Sequence, residues 1–217
     1  MIRSNVIRFA LLAVSANKND AFFQQDYQAG LVALGLYELQ AQKAIVWNED
    51  AMCHISEGQP VESAYLRPLY EAIQQSSSKT LDSILFTVFT QYVTDYTGAV
   101  ESYLKQKHLV SETVKKGRFG IANKKLEAEQ AYVDESRADI LALCSGNVAP
   151  AQWVLAKVLL KTGLIYDCFD KQEVESIKEK LQRKPDVPEL HVCEKALDIV
   201  DRACSIGISV LATMILS

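Results

Sequence analysis

Leu81-Asp82-Ser83-Ile84-Leu85-Phe86-Thr87-Val88-Phe89-Thr90-Gln91-Tyr92 decides the fold class. Leu81, Ile84, Leu85, Val88, Phe89 and Tyr92 recur at i, i+3, i+4 and i+7, which lines one face of an α-helix, and Ser78 or Thr80 is placed to cap it. The same period predicts helices near residues 25–41, 62–75, 96–107, 123–144, 150–162, 170–183 and 190–215. Ser76-Ser77-Ser78, Gly146-Asn147, Gly163 and the stretch from Pro185 to Pro188 punctuate them. The expectation is a mainly α, single-domain helical bundle over residues 1–217.

Two places break the helical rhythm alike. After the helix 25–41 come the apolar Ala44-Ile45-Val46-Trp47, a turn at Asn48-Glu49-Asp50, and Met52 to Ile55. After the helix 96–107 come Leu109-Val110, a turn at Lys115-Lys116-Gly117, and Phe119-Gly120-Ile121. Each predicts a helix running into a small β-hairpin. The first turn is acidic and the second basic, with Phe119 and Ile121 packing inward or forming a shallow apolar wedge.

That second hairpin carries the main functional signal. Between Lys105 and Lys125 stand Lys105, Lys107, Lys115, Lys116, Arg118, Lys124 and Lys125 against the single acid Glu112. A segment of net +6 thus sits in a chain of net −4, whose remainder sums to −10. An acidic body with one cationic patch suits an anionic partner. A solubilising hairpin is the plainer reading, but crowded like charges repel unless an anion offsets them.

Other chemistry finds little support. The odd number of cysteines, Cys53, Cys144, Cys168, Cys193 and Cys204, lies mostly in apolar periodic segments, which suits reduced thiols and the cytoplasm. His54, His108 and His191 are isolated, with no spacing that builds a metal cage, and no cofactor is expected. Cys53 and His54 are neighbours on a strand, so they point to opposite faces. Ser76-Ser77-Ser78-Lys79, Ser102-Tyr103-Leu104-Lys105 and Lys161-Thr162-Gly163 imitate serine β-lactamase motifs, but the last ends a helix where that chemistry needs a strand. Glu127, Glu129, Asp134, Glu135 and Asp139 spread around a helix as a solvated surface. Arg3 and Arg8 ahead of Phe9 to Val14 loosely resemble a secretory leader, though the run serves equally as a first core element. The apolar run from Ile206 to Leu216 is shorter than the roughly 17–25 residues that cross a bilayer, so any membrane contact is expected to be peripheral.

In the order of its elements the chain resembles the Golgi phosphoprotein 3 family, bacterial-type members included, over nearly its whole length. The resemblance rests on Phe22-Phe23 through Gly30-Leu31 to Glu38-Leu39 with the strand Ala44 to Trp47, on Leu104-Lys105-Gln106-Lys107-His108-Leu109-Val110, and on Ala156 to Gly163-Leu164-Ile165. It implies a helical domain without enzymatic activity that acts as a peripheral membrane adaptor, recognising a phosphoinositide and holding a protein partner. The family's pocket aromatic falls on Phe23, but its arginines fall on Val32 and near Asp95 to Thr97, none of them basic. Phosphate recognition needs fixed donors such as guanidinium forks, so head-group specificity is not carried over. The expectation is a reversible adaptor on anionic, phosphoinositide-like lipid through Lys105, Lys107, Lys115, Lys116, Arg118, Lys124 and Lys125, with Phe23 as a pocket residue. The alternative is a winged-helix-like nucleic-acid binder with Lys115, Lys116 and Arg118 on backbone phosphates.

Overall fold

In the computed structural model, residues 4–16, 24–48, 52–56, 58–116, 122–146, 149–182 and 198 are described, with side chains omitted at 115, 116 and 122–124. Helix α1 (Asn5–Ser15) begins at Ser4, whose hydroxyl accepts the Ile7 amide, and every residue from Asn5 to Val14 is buried. The leader-like run is therefore the first element of the core. Helix α2 (Gln25–Ala41) lies against it and is buried from Ala29 to Leu36 on all its faces. A helix apolar all round belongs in the middle of a core.

The first hairpin follows, β1 (Ile45–Trp47) paired with β2 (Cys53–Ile55) in antiparallel register. A 3-10 turn (Ala64–Leu66) leads into α3 (Arg67–Gln75), then come α4 (Leu81–Thr87), a π-helical turn (Val88–Tyr92) and α5 (Val93–Gln106). Thr80 is the residue that caps α4, accepting the Ser83 amide. The gap expected between 92 and 96 is absent: the π turn takes up extra residues without interrupting the helix.

The second hairpin is longer than its turn signals suggest. Strand β3 (Val110–Lys116) pairs with β4 (Ala122–Ala128) over seven rungs, from Val110 opposite Ala128 to Lys116 opposite Ala122. Residues 123–128, expected to open a helix, are thus strand. Ala-Asn-Lys-Lys-Leu-Glu-Ala favours helix locally, but β3 supplies a full ladder and Leu126 and Ala128 pack on the core, so tertiary pairing overrides propensity. Helix α6 (Gln130–Leu141) with a closing 3-10 turn, α7 (Pro150–Lys161), the short α8 (Ile165–Cys168) and α9 (Lys171–Gln182) complete the bundle. The expected helix 190–215 lies outside the described residues, as do Phe119 and Ile121.

Both hairpins leave their helices by the same device. After α2, the Ala44 amide reaches back to the Leu39 carbonyl, and after α5 the Leu109 amide reaches the Leu104 carbonyl. The residue between, Lys43 in one case and His108 in the other, takes φ of 58° and 54°. This is the Schellman closure, in which an apolar pair accompanies a left-handed residue that glycine fits with least strain. The likeness of the two breaks is therefore structural.

Gly35 sets the approach of α5 to α2. The Tyr96 hydroxyl, in a fully buried ring, donates to the Leu31 carbonyl at 2.9 Å. A Cβ at Gly35 would fall onto that hydroxyl and within 2.6 Å of a Leu69 methyl. Alanine is favoured over glycine in a helix by about 1 kcal/mol, whereas overpacking costs about 1–3 kcal/mol. Gly35→Ala is expected to lower stability in urea denaturation by about 1–2 kcal/mol, and His108→Gly, which relieves a left-handed backbone, to raise it by about 0.5 kcal/mol or more.

Candidate functional site

The hairpin register sorts charge along its length. Glu112 and Glu127 sit opposite Leu126 and Ser111, on rungs near the body. From the Thr113–Lys125 rung outward, residues 113–126 contain Lys115, Lys116, Arg118, Lys124 and Lys125 and no acid. The backbone places Lys115 opposite Asn123 and Lys124 opposite Val114. The side chains of Lys115, Lys116 and Lys124, and Arg118 and Phe23 entirely, lie outside the described residues.

The inner basic residues are engaged. The Lys105 ammonium bridges Glu101 of α5, at 2.7 Å, and Glu112 of β3, and these two carboxylates hold it above the ordinary lysine range. Lys105 thus ties the root of the hairpin to its helix. Lys125 lies 3.5 Å from Glu127, and the exposed Lys107 stands 5.8 Å over the Tyr103 ring. Val114 is 58% exposed.

Where the resemblance expects pocket arginines, Val32 is fully buried, Tyr96 donates inward to α2, Thr97 is buried and Asp95 faces solvent. Core packing fills that position, and the three side chains other than Asp95 are not available to a phosphate.

The enzyme-like motifs resolve into structure. Lys79 donates to the carbonyls of Ile73, Gln74 and Ser76 at 2.6, 3.0 and 3.2 Å, closing the end of α3. With its three protons donated, it has no lone pair to offer a serine. Lys161 ends α7, and Gly163 turns the chain at φ 74°. Cys53 is buried and His54 exposed, as strand alternation requires, and burial pushes the Cys53 thiol up to about 11, against thiolate chemistry. Cys53, Cys144 and Cys168 are free thiols. One surface expectation needs correcting. Asp139 turns inward to the buried Arg8, at 2.6 Å, and to Gln152, because a guanidinium buried on α1 requires a partner. No group of His, Cys, Asp and Glu among the described residues could hold a metal ion, and no described helix is long and apolar enough to cross a membrane.

A second site escaped the sequence reading. Glu38, on α2, is buried beneath the start of α1. Its Oε1 accepts Ser4 Oγ–H at 2.8 Å and the Val6 amide at 2.9 Å. Tyr65 Oη, from the 3-10 turn, lies 2.9 Å from Glu38 Oε2 and 2.9 Å from Ser4 Oγ. Tyr65 Oη–H is shared between Glu38 Oε2 and Ser4 Oγ, and Ser4 Oγ–H goes to Glu38 Oε1, so the three side chains close a hydrogen-bonded ring. Burial raises Glu38 above the ordinary carboxylate range, outweighing the hydrogen bonds that favour its charge. The signal was legible: Glu38 lies four residues beyond Leu34 and seven beyond Leu31, on the apolar face of a buried helix.

The ring floors a cavity of about 320 Å³, walled by Tyr37, Gln42 and Ser63 and bounded by Asn5 and Ala151. Asn5 is 2% exposed; its Nδ2 donates to the Ala151 carbonyl at 2.8 Å, and its buried Oδ1 has no partner.

Comparison of the chain with protein-family models finds none that matches, and comparison with curated proteins finds no match either.

Glutamine keeps an acceptor for Ser4 and the Val6 amide and cannot ionise, so Glu38→Gln is expected to fold with stability within about 0.5 kcal/mol of the parent near pH 5. Because the native state holds the Glu38 proton more tightly than the unfolded chain, the parent keeps its full contribution below the unfolded value near 4.3. It then loses up to about 1.4 kcal/mol per pH unit until the native value is passed. Urea titrations from pH 4 to 8 should show this decline in the parent and a flatter profile in Glu38→Gln.

Proposed function

We propose that the protein is a non-catalytic adaptor that docks reversibly on anionic membrane through the outer half of the β3–β4 hairpin and presents another face to a protein partner. The observation that carries this reading is the charge sorting along the register: four cations and no acid beyond the Thr113–Lys125 rung. Lys105 belongs to the hinge of the hairpin and not to its contact surface, since Glu101 and Glu112 already offset it. At about 1 kcal/mol per basic residue near an anionic leaflet, four give recruitment that is reversible and short of anchoring. The resemblance to the Golgi phosphoprotein 3 family supports the same class of function. The lipid it implies, a phosphoinositide, would be met here by charge density, because the family's pocket arginines are replaced.

A nucleic-acid role is weaker. Helix α5, which would read the groove, exposes Asp95 and commits Glu101 to Lys105, and base readout uses arginine, lysine, asparagine or glutamine donors instead.

Flotation with phosphatidylserine-containing vesicles should recover the protein at low salt and lose it as ionic strength rises well past 0.15 M, where the screening length falls below ~8 Å. Reversing Lys115, Lys116 and Arg118 to glutamate should abolish recovery. Equal recovery with phosphatidylcholine vesicles, or a salt-sensitive complex with mixed-sequence duplex DNA in the absence of vesicle binding, would contradict the reading.

A further inference from the structure

Between Lys105 and Ala128 the chain has two aliphatic hydroxyl residues outside its helices, Ser111 and Thr113. The hairpin register treats them differently. Ser111 lies opposite Glu127, whereas Thr113 lies opposite Lys125, on the rung where the acid-free half begins. Successive residues of a strand alternate between its faces, so Lys115 occupies the next position on the Thr113 face of β3. Thr113 Oγ1 donates to the Lys125 carbonyl at 3.4 Å, a long bond for a hydroxyl and one that costs little to give up. Lys125 holds Glu127 loosely, at 3.5 Å, beyond the roughly 2.7–2.9 Å of a charge-assisted hydrogen bond. A dianion on Thr113 therefore meets a lysine directly across the ladder and a second basic position along it, while the same group on Ser111 faces a carboxylate.

We propose that Thr113 is a phosphorylation site for a protein kinase that reads basic residues after the acceptor, and that its phosphate switches off the membrane contact of the outer hairpin. The switch rests on the membrane-docking reading, whereas the site rests on the register. In the transfer, Thr113 Oγ1 attacks the γ-phosphorus of ATP. The Oγ1–P bond forms, the bond from that phosphorus to the bridging oxygen breaks, ADP leaves with the bonding pair, and the hydroxyl proton passes to the base of the kinase. Lys115 and Lys116 follow the acceptor by two and three residues. Thr113 is half-buried, and a two-stranded ribbon is marginal on its own, so opening this rung to a kinase leaves the helical body intact. The ester brings a charge of about −1.5 to −2 near neutral pH. Set against the four cations beyond the rung, it cancels up to half of the positive charge offered to an anionic leaflet.

The site is tested by incubating the full chain with ATP and the catalytic fragment of protein kinase C and mapping the product by mass spectrometry. Phosphate on Thr113 and not on Ser111 is expected; label on Ser111 in preference, or on neither, would overturn the site. Full chain with phosphothreonine genetically encoded at position 113 then serves two measurements. Its phosphorus resonance should titrate below the second ionisation of a free phosphate ester, near about 6, because neighbouring lysines favour the dianion. An unmoved or raised titration would overturn the pairing with Lys125. In flotation with phosphatidylserine-containing vesicles at low salt, the phosphorylated chain should partition on the order of thirtyfold more weakly than the parent, the share of two basic residues. Thr113→Val, which takes no phosphate, should float like the parent. Equal partition of the phosphorylated and parent chains, with the parent released by salt, would overturn the switch and leave the docking reading standing. A parent that does not float overturns the docking reading and the switch together, while the mapping and the titration still decide the site.

Discussion

A carboxyl group placed in the middle of a helical core has to be neutralised or paired, and the way Glu38 meets that requirement organises one end of this molecule. By accepting hydrogen bonds from Ser4 and Tyr65 it joins the first turn of α1, the last turns of α2 and the 3-10 turn ahead of α3. These segments are 34 and 27 residues from Glu38 in sequence. The apolar packing of α1 on α2 supplies the larger share of stability but little direction, since hydrophobic burial is non-directional. The ring, together with the Tyr96 bond to Leu31 through the gap left by Gly35, sets where α1, α2 and α5 stand relative to one another. Arg8 and Asp139 do the same between α1 and α6.

Charge is handled by opposite means in the core and at the hairpin. Inside, ionisable groups are few, and each is held by specific partners. At the root of the hairpin, acids and bases alternate and pair, as in the bridge of Lys105 between Glu101 and Glu112. Beyond the Thr113–Lys125 rung the sequence holds four basic residues and no acid. Two-stranded ribbons are marginal on their own, and this one is secured where Leu109, Val110, Leu126 and Ala128 meet the core.

How much of this could be read from the sequence follows from the range of each interaction. The helix from Leu81 to Tyr92 was legible because its signal is local periodicity, and the pi turn within it was not, since no side chain announces it. The two helix-to-hairpin exits were legible as a pair, Leu39 to Ala44 and Leu104 to Leu109, because the Schellman closure is contained in six residues. Strand β4 was misread as helix because Ala122 to Ala128 has helix-favouring composition and its partner lies across a turn. Asp139 was placed on the surface because its partner, Arg8, is 131 residues away. Glu38 was visible as an acid on an apolar stripe, but its role depends on Ser4 and Tyr65, which only the tertiary structure brings together. The cationic segment was read correctly as to composition. That Lys105 is bridged at its base could not be seen from charge counts.

The upward shift that burial imposes on the Glu38 carboxyl underlies the pH profile of stability, and its side-chain carboxyl carbon reports it directly. Carbon-detected NMR of the Glu38 Cδ from pH 3 to 8, with selective labelling, should show a resonance that keeps its protonated position well above the ordinary glutamate range near 4.3. A resonance that titrates at or below that range would mean that burial does not hold the proton on Glu38 and would contradict the account.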